Sequence, residues 1–340
     1  MFGAFLEKGV RVGDCVSSVL DQFWDQTRNG LTLGAIYAMI ALGYTMVYGV
    51  LQLINFAHSE VFMISTVVTL YAVRNWFGIT EPVEGLTLVA VLLGALIPAM
   101  LTGGVIAVGI ERFAYRPLRK RGAPRLSFLI AAIGASLTLQ YLFVLMDGQH
   151  YLLWLRLPAI LGPNPQPIPE VMQTHTLFTL FGAAVTNKRV VVLVVAFVMM
   201  VVLDVFVRKT RLGRGIRAVS QSQDTAAMMG VDMSQVIVLT FFIGGVMAGA
   251  AGMLFSTIYP GAPAFWFVGF IPGIKAFTAA VLGGIGNLRG AMVGGLLLGL
   301  VEAYGTACTG AQWANVIAFL VLVGVLMVRP TGILGEQVST

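Results

Sequence analysis

Residues Tyr44 to Ile64 read YTMVYGVLQLINFAHSEVFMI, and this stretch decides how the chain must fold. It lies in an apolar region from Gly30 to Val73 whose only charged side chain is Glu60, with Asn55, His58 and Ser59 close beside it. One continuous helix of that length would be about 66 Å long, twice the hydrocarbon thickness of a bilayer. The region must therefore cross twice and break, and its polar residues place the break at Leu53 to Ser59. Unsatisfied backbone groups facing lipid cost several kcal/mol each, so such a break belongs in a cavity or against other protein.

The composition carries this reading to the whole chain. With 58% hydrophobic residues, 11% charged and a mean hydropathy of +0.88, the sequence repeats long charge-free runs, as a polytopic helical membrane protein does. Forty glycines suit close helix packing and broken helices. The alternation of an outer-membrane barrel is absent. Cys15 and Cys308 lack metal-ligand spacing, and a single pair makes a disulfide possible without implying one. The net charge of +6 comes from loops between apolar segments, which points to membrane orientation rather than nucleic acid.

Residues 1–29 mix charges with Phe2, Phe5, Leu6, Phe23 and Trp24, and read as an interfacial amphipathic segment. A single transmembrane domain, 30–335, and a short tail, 336–340, follow. The spanning candidates are Gly30 to Val50, Ala57 to Val73, Leu86 to Ile110, Leu126 to Met146, Val190 to Val207, Val236 to Ile258, Phe267 to Ile285, Leu288 to Ala307 and Trp313 to Val328. These make nine crossings, or eight if Leu53 to Ser59 is a re-entrant tip. Arg112, Arg116, Arg119, Lys120, Arg121 and Arg125 fill one loop, and Arg208, Lys209, Arg211, Arg214 and Arg217 another. Both are expected in the cytoplasm. Nine crossings leave the N-terminus outside, and eight move it in.

Two loops carry further signals. The external loop, 147–189, holds Pro158, Pro163, Pro165, Pro167 and Pro169, and is either an ordered docking surface or a lid over helix ends. The inner loop, 208–235, combines a capping-box pattern at Ser220 and Gln223, then Asp224, a small apolar ridge of Ala226, Ala227, Met228 and Met229, and a stop at Gly230. That pattern predicts a short cytoplasmic helix. It serves either as a plain connection or as a surface buried by a partner.

Glu60, Lys275 and Glu302 are ionisable residues inside spans. Lys275 and Glu302 fall at similar depths on adjacent antiparallel helices and can pair; an unpaired charge there costs at least ~2.5 kcal/mol. Such a pair either lines a route or is purely structural. A second interrupted span, Lys275 to Gly295, reads KAFTAAVLGGIGNLRGAMVGG, with Gly283, Gly284 and Gly286 at its break. One broken segment in each half points to an inverted-repeat transporter with its route between the breaks, lined by Asn55, Phe56, His58, Ser59 and Glu60 in the first half.

Enzymatic signatures are missing. The chain has no P-loop, no H-E-x-x-H, no G-x-S-x-G and no CxxC. His58, Ser59 and Glu60 are consecutive, so on a helix they point about 100° apart and cannot converge as a triad.

Five segments in order carry a resemblance: LTLGAIYAMIALGYTMVYGVLQLINFAHSE (Leu31 to Glu60), ERFAYRPLR (Glu111 to Arg119), RLGRGIRAVSQSQDTAAMMGVD (Arg211 to Asp232), IKAFTAAVLGGIGNLRGAMVGGLLLGLVEA (Ile274 to Ala303) and RPTGILG (Arg329 to Gly335). Together they resemble the LivH-type permease of branched-chain amino acid ABC importers, with a departure at Ser59, where that family usually has Gly. The resemblance implies a multi-pass protein of the bacterial inner membrane that binds no cofactor itself. It also implies a LivM-type second permease, two cytoplasmic ATPase subunits that hold ATP, and an extracytoplasmic solute-binding protein. Under it, Ser220 to Gly230 becomes the segment that couples to an ATPase. Permeases for urea and short amides are similar and are the nearest alternative. An ion-coupled secondary transporter would account for the intramembrane charges without any ATPase.

Overall fold

The computed structural model describes residues 19–145, 164–180, 183–258, 263–329 and 331–335. Nearly all are helical, because in a chain this apolar a helix satisfies every backbone donor and acceptor within one segment. In order, the helices are α1 (Phe23–Leu51), α2 (His58–Tyr71), α3 (Gly85–Ile110), α4 (Arg116–Lys120), α5 (Arg125–Leu145), α6 (Asn187–Lys209), α7 (Arg211–Gln221), α8 (Gln223–Met228), α9 (Met233–Ile258), α10 (Phe270–Gly283), α11 (Leu288–Thr309) and α12 (Ala314–Val328). Single π-helical turns extend α2 (Ala72–Trp76) and join α3 to α4 (Glu111–Tyr115).

Among the described residues, seven helices are long and apolar enough to cross a membrane. The other two apolar segments of the sequence become α2 and α10, each of 14 residues and so about 21 Å long. The nine expected crossings are therefore seven full helices and two shorter ones. The first span also starts earlier than expected: α1 is helical from Phe23, so 23–29 belongs to it rather than to an amphipathic segment, and Arg28 is held by Asp25 at 2.6 Å.

Depth follows from neighbours. The Val50 carbonyl at the end of α1 accepts a hydrogen bond from Gln223 of α8, at 2.7 Å, so α1 ends on the side of the basic loops. The chain then turns at Gln52, whose φ is +55°, and returns without helix to Ala57. His58 sits against Gly43, eight residues back from Leu51, so α2 begins about 12 Å above the cytoplasmic end of α1. From there it climbs to the opposite face. Helix α10 does the reverse: it starts beside Ser59 and descends to the α10–α11 turn.

Close packing of small residues relates the two halves. Helix α1 runs antiparallel to α11, with Gly30 against Leu300 and Gly34 against Leu296; a methyl group on either glycine would lie 2.8 Å from the facing Cα. In the other half α9 packs on α3 in the same way, Gly249 against Met100 at 2.8 Å. Helices α1 and α9 meet at Gly43 and Gly244, where an added methyl would be 3.0 Å from the Gly244 carbonyl oxygen. Thus α1, α2 and α3 correspond to α9, α10 and α11 with inverted direction, and the half-helices occupy equivalent places.

The described part of the external loop holds two short strand pairings between irregular stretches. Its β1 (Gln166–Pro167) pairs antiparallel with β4 (Pro263–Ala264), and β2 (Thr176–Leu180) with β3 (Ala183–Thr186). Lys188, buried at the start of α6, is paired with Glu170. Residues 147–163 of this loop, and with them Pro158 and Pro163, lie outside the described residues, as does Cys15; Cys308 is disulfide-bonded.

Candidate functional site: the meeting of two half-helices

The N-termini of α2 and α10 touch inside the membrane. A methyl group on Gly269 would lie 2.9 Å from the Met63 Cβ, and one on Gly273 would lie 3.3 Å from the Ser59 Cα and overlap its Cβ. Two glycines on α10 thus make room for Ser59 on α2. The first turn of a helix has backbone N–H groups without intrahelical acceptors and carries the positive end of the helix dipole. Neither half-helix has a side-chain cap hydrogen bond. The His58 and Glu60 N–H groups already donate to the Asn55 and Ala57 carbonyls, Phe270 N–H donates to the Phe267 carbonyl, and Pro272 has no N–H. What the two helix ends bring to this one buried place is therefore chiefly the positive end of their dipoles, which suits an anionic group.

Polar side chains surround this place, and all are buried. Glu60 is fully buried, and its Oε1 accepts from Gln140 Nε2 at 2.8 Å and from the hydroxyls of Ser59 and Ser136, each at 3.0 Å. Its Oε2 has no hydrogen-bond partner. Asn55 Oδ1 accepts from the Tyr115 hydroxyl at 3.2 Å, while its Nδ2 has none. The His58 imidazole stands edge-on to Tyr44, ring centroids 4.8 Å apart, and its Nε2 has no hydrogen-bond partner among the described residues. Phe277 of α10 lies 6.1 Å from both Tyr44 and Phe56, so an aromatic wall continues from α1 through the return segment to α10. Polar ends set in an apolar wall suit a small amphipathic solute.

A second charged cluster lies on the other side of α10. Lys275 Nζ is 2.7 Å from Glu302 Oε1, both residues are buried, and the Tyr37 hydroxyl donates to the same carboxylate, 3.2 Å from Oε2. The Lys275 ammonium also lies over the Tyr37 ring, 5.8 Å from its centroid.

Gly283, Gly284 and Gly286 are not part of the meeting point. They form the turn between α10 and α11 at the cytoplasmic end, where Gly283 abuts Gly290 and Gly284 packs under Leu334 and Gly335. The interruption equivalent to 52–57 precedes α10 rather than following it. Among the described residues it covers 263–269, which reads in the sequence as a loop between spans until the depth of α10 is known.

The cytoplasmic loop is built differently from its capping pattern. Ser220 lies within α7, its hydroxyl donating to the Arg217 carbonyl at 2.8 Å, and Ser222 takes the cap: it has extended φ and ψ, and its Oγ accepts from the Thr225 N–H at 3.3 Å. The end is as the sequence indicates. Gly230 has φ +81°, and Gly230 and Val231 donate back to the Ala227 and Ala226 carbonyls, each at 3.0 Å. Ala226 faces inward, whereas Asp224, Ala227, Met228 and Met229 are exposed, both methionines at 80%.

Tyr37, Tyr44, Tyr115, Ser136, Gln140 and Phe277 were not legible as site residues. The pair Ser136 and Gln140, four apart in an otherwise apolar span, was the available signal.

An inverted repeat of helices around two half-helices, with buried polar groups where they meet, defines a membrane transport permease. Residues 26–326 match the family described as branched-chain amino acid transport system, permease component, and the chain belongs to that family. It is 41% identical over 314 residues to the high-affinity branched-chain amino acid transport system permease protein LivH of Salmonella typhimurium, covering 92% of this chain and 96% of that one. It is 40% identical to LivH of Escherichia coli with the same coverage, and 39% identical over 322 residues to BraD of Pseudomonas aeruginosa, again covering 92% and 96%. No solved structure matches. The chain is accordingly a multi-pass inner-membrane transport subunit of an ABC importer and not an enzyme.

Proposed function

We propose that this chain forms part of the route by which branched-chain or other hydrophobic amino acids cross the membrane, and that the route passes the junction of α2 and α10. The observation that carries this reading is the junction itself: two helix N-termini in contact at mid-membrane, ringed by Asn55, His58, Ser59 and Glu60 and by Tyr44, Phe56 and Phe277. A zwitterion needs donors for its carboxylate and an acceptor for its ammonium, and an aliphatic side chain needs an apolar wall. The dipoles of the two helix ends and the Asn55 Nδ2 donor suit the carboxylate, and Glu60 Oε2 is an acceptor for the ammonium. Because Ser59 is packed on Gly273, the half-helices must part for a solute to pass.

The rest of the machine is inferred from the family and from exposed surfaces. The chain binds no cofactor, and ATP is held by two partner ATPases. Helix α8, with Ala227, Met228 and Met229 outward, seats on one of them. Its Gln223 is bonded to Val50 beside the return segment, so a push on α8 reaches 52–57 directly. A LivM-type permease and a solute-binding protein on the external loop complete the assembly.

The test is uptake into proteoliposomes holding the chain with its co-expressed ATPases, second permease and binding protein. Leucine, isoleucine and valine are expected to accumulate only with ATP inside. Accumulation of urea in their place would move the assignment to the short-amide systems. Uptake driven by a proton or sodium gradient without ATP would overturn it.

A further inference from the structure

One charged surface is explained by none of this. On α3 exposed apolar residues follow one stripe: Ile97, Leu101 and Val105, each more than half exposed. The next positions on that stripe are Gly109, Arg112, Arg116 and Lys120. The π-helical turn Glu111–Tyr115 keeps Tyr115 inward on Asn55 while Arg112 faces out. Arg112, Arg116, Lys120 and Arg121 line, with Pro117, an open pocket of about 510 Å³. Arg119 is paired with Glu111 at 3.0 Å, but among the described residues no carboxylate lies within ion-pair distance of the four that line the pocket. Just above them, Gly109 faces open space, with nothing within 4 Å of where its side chain would be. Phe113 projects beside it, 84% exposed.

We infer that this surface is a binding site for an anionic phospholipid of the cytoplasmic leaflet, the phosphodiester held by Arg112, Arg116, Lys120 and Arg121 and an acyl chain lying along Val105, Leu101 and Ile97. The order on the helix is the order within a lipid. Apolar positions come first, then the bare position at Gly109, then cations, with Val105 and Arg112 about 10 Å apart along the axis. Guanidinium groups match phosphate oxygens in charge and in donor geometry, and a basic cluster at the cytoplasmic end of a span attracts anionic headgroups. Orientation of the chain alone requires the charges but not the convergence of four of them on one open pocket below an exposed apolar stripe.

The experiment uses the full chain purified with its co-expressed partner subunits. The complex is equilibrated with vesicles of phosphatidylglycerol or of phosphatidylcholine with the same acyl chains, and retained lipid is counted by native mass spectrometry. Phosphatidylglycerol is expected to be retained about tenfold over phosphatidylcholine. The variant R112Q/R116Q/K120Q/R121Q should bring the two to parity. Gly109→Leu, which keeps every charge and puts a side chain between the apolar stripe and the cations, should lower phosphatidylglycerol retention as well. Equal retention of the two lipids by the unmodified complex would overturn the proposal. Full competition by millimolar inorganic phosphate would also overturn it, by making the site one for free phosphate. Loss of partner subunits from the quadruple variant with lipid retention unchanged would overturn it too, assigning the cations to a protein contact.

Discussion

Lys275 and Glu302 show how a charge survives inside a membrane. Each is buried, and Glu302 is shared between the ammonium and the Tyr37 hydroxyl, so neither is left to the apolar surroundings. Removing one partner strands the other: Glu302→Gln or Lys275→Met is expected to destabilise the protein by about 3–5 kcal/mol, read as loss of folded material in a thermal-aggregation assay. The exchange K275E/E302K should recover part of it, whereas damage equal to the sum of the two single changes would mean that the charges act separately. Asn55 and Ser59 belong to the other cluster, and their test is chemical. With Cys15 and Cys308 replaced, Cys at 55 or 59 should react with small water-soluble thiol reagents at a rate that changes with ATP. Inertness in every nucleotide state would take this stretch off the solute route.

At the scale of elements, α8 is only six residues long, and its hold on the chain is its two ends and one buried alanine. Ala227 is exposed, so Ala227→Glu is expected to leave folding intact while abolishing association with the ATPases and ATP-driven uptake. Normal assembly and transport in that variant would show α8 to be a plain connector. Ser222→Ala removes the cap and should weaken α8 by about 1 kcal/mol, lowering transport modestly. Ser220→Ala should do less, since Ser220 caps nothing. The two serines are two residues apart. Backbone geometry, which only the folded chain displays, assigns the role.

The whole molecule rests on glycine contacts between helices of the two halves. Gly295 packs on Ala38, and Gly299 on Gly30 and Gly34, so that α11 lies against α1 along most of its length. Gly295→Leu has no room and is expected to cost more than about 3 kcal/mol, with loss of membrane-integrated protein on a blot. Gly109→Leu, on the open side of α3, serves as the matched control for folding and should accumulate normally.

Much of this protein was written in the chain. The charge-free runs determined a polytopic helical protein, because hydrocarbon thickness and backbone satisfaction leave no alternative, and the basic loops supplied an expected orientation. Asn55 to Glu60 stood out because polar residues in such a run must be protected. What only the tertiary structure decided was depth and convergence. Nothing local distinguishes a half-helix from a short span, so α10 read as a full crossing and its Gly283 to Gly286 turn as the second break. Only the contact of Gly269 and Gly273 with Ser59 shows that the matching interruption lies before α10. Likewise Ser136, Gln140, Tyr44 and Phe277 become site residues through helices that meet far apart in sequence, and such meetings are made by packing, which no window of neighbouring residues records.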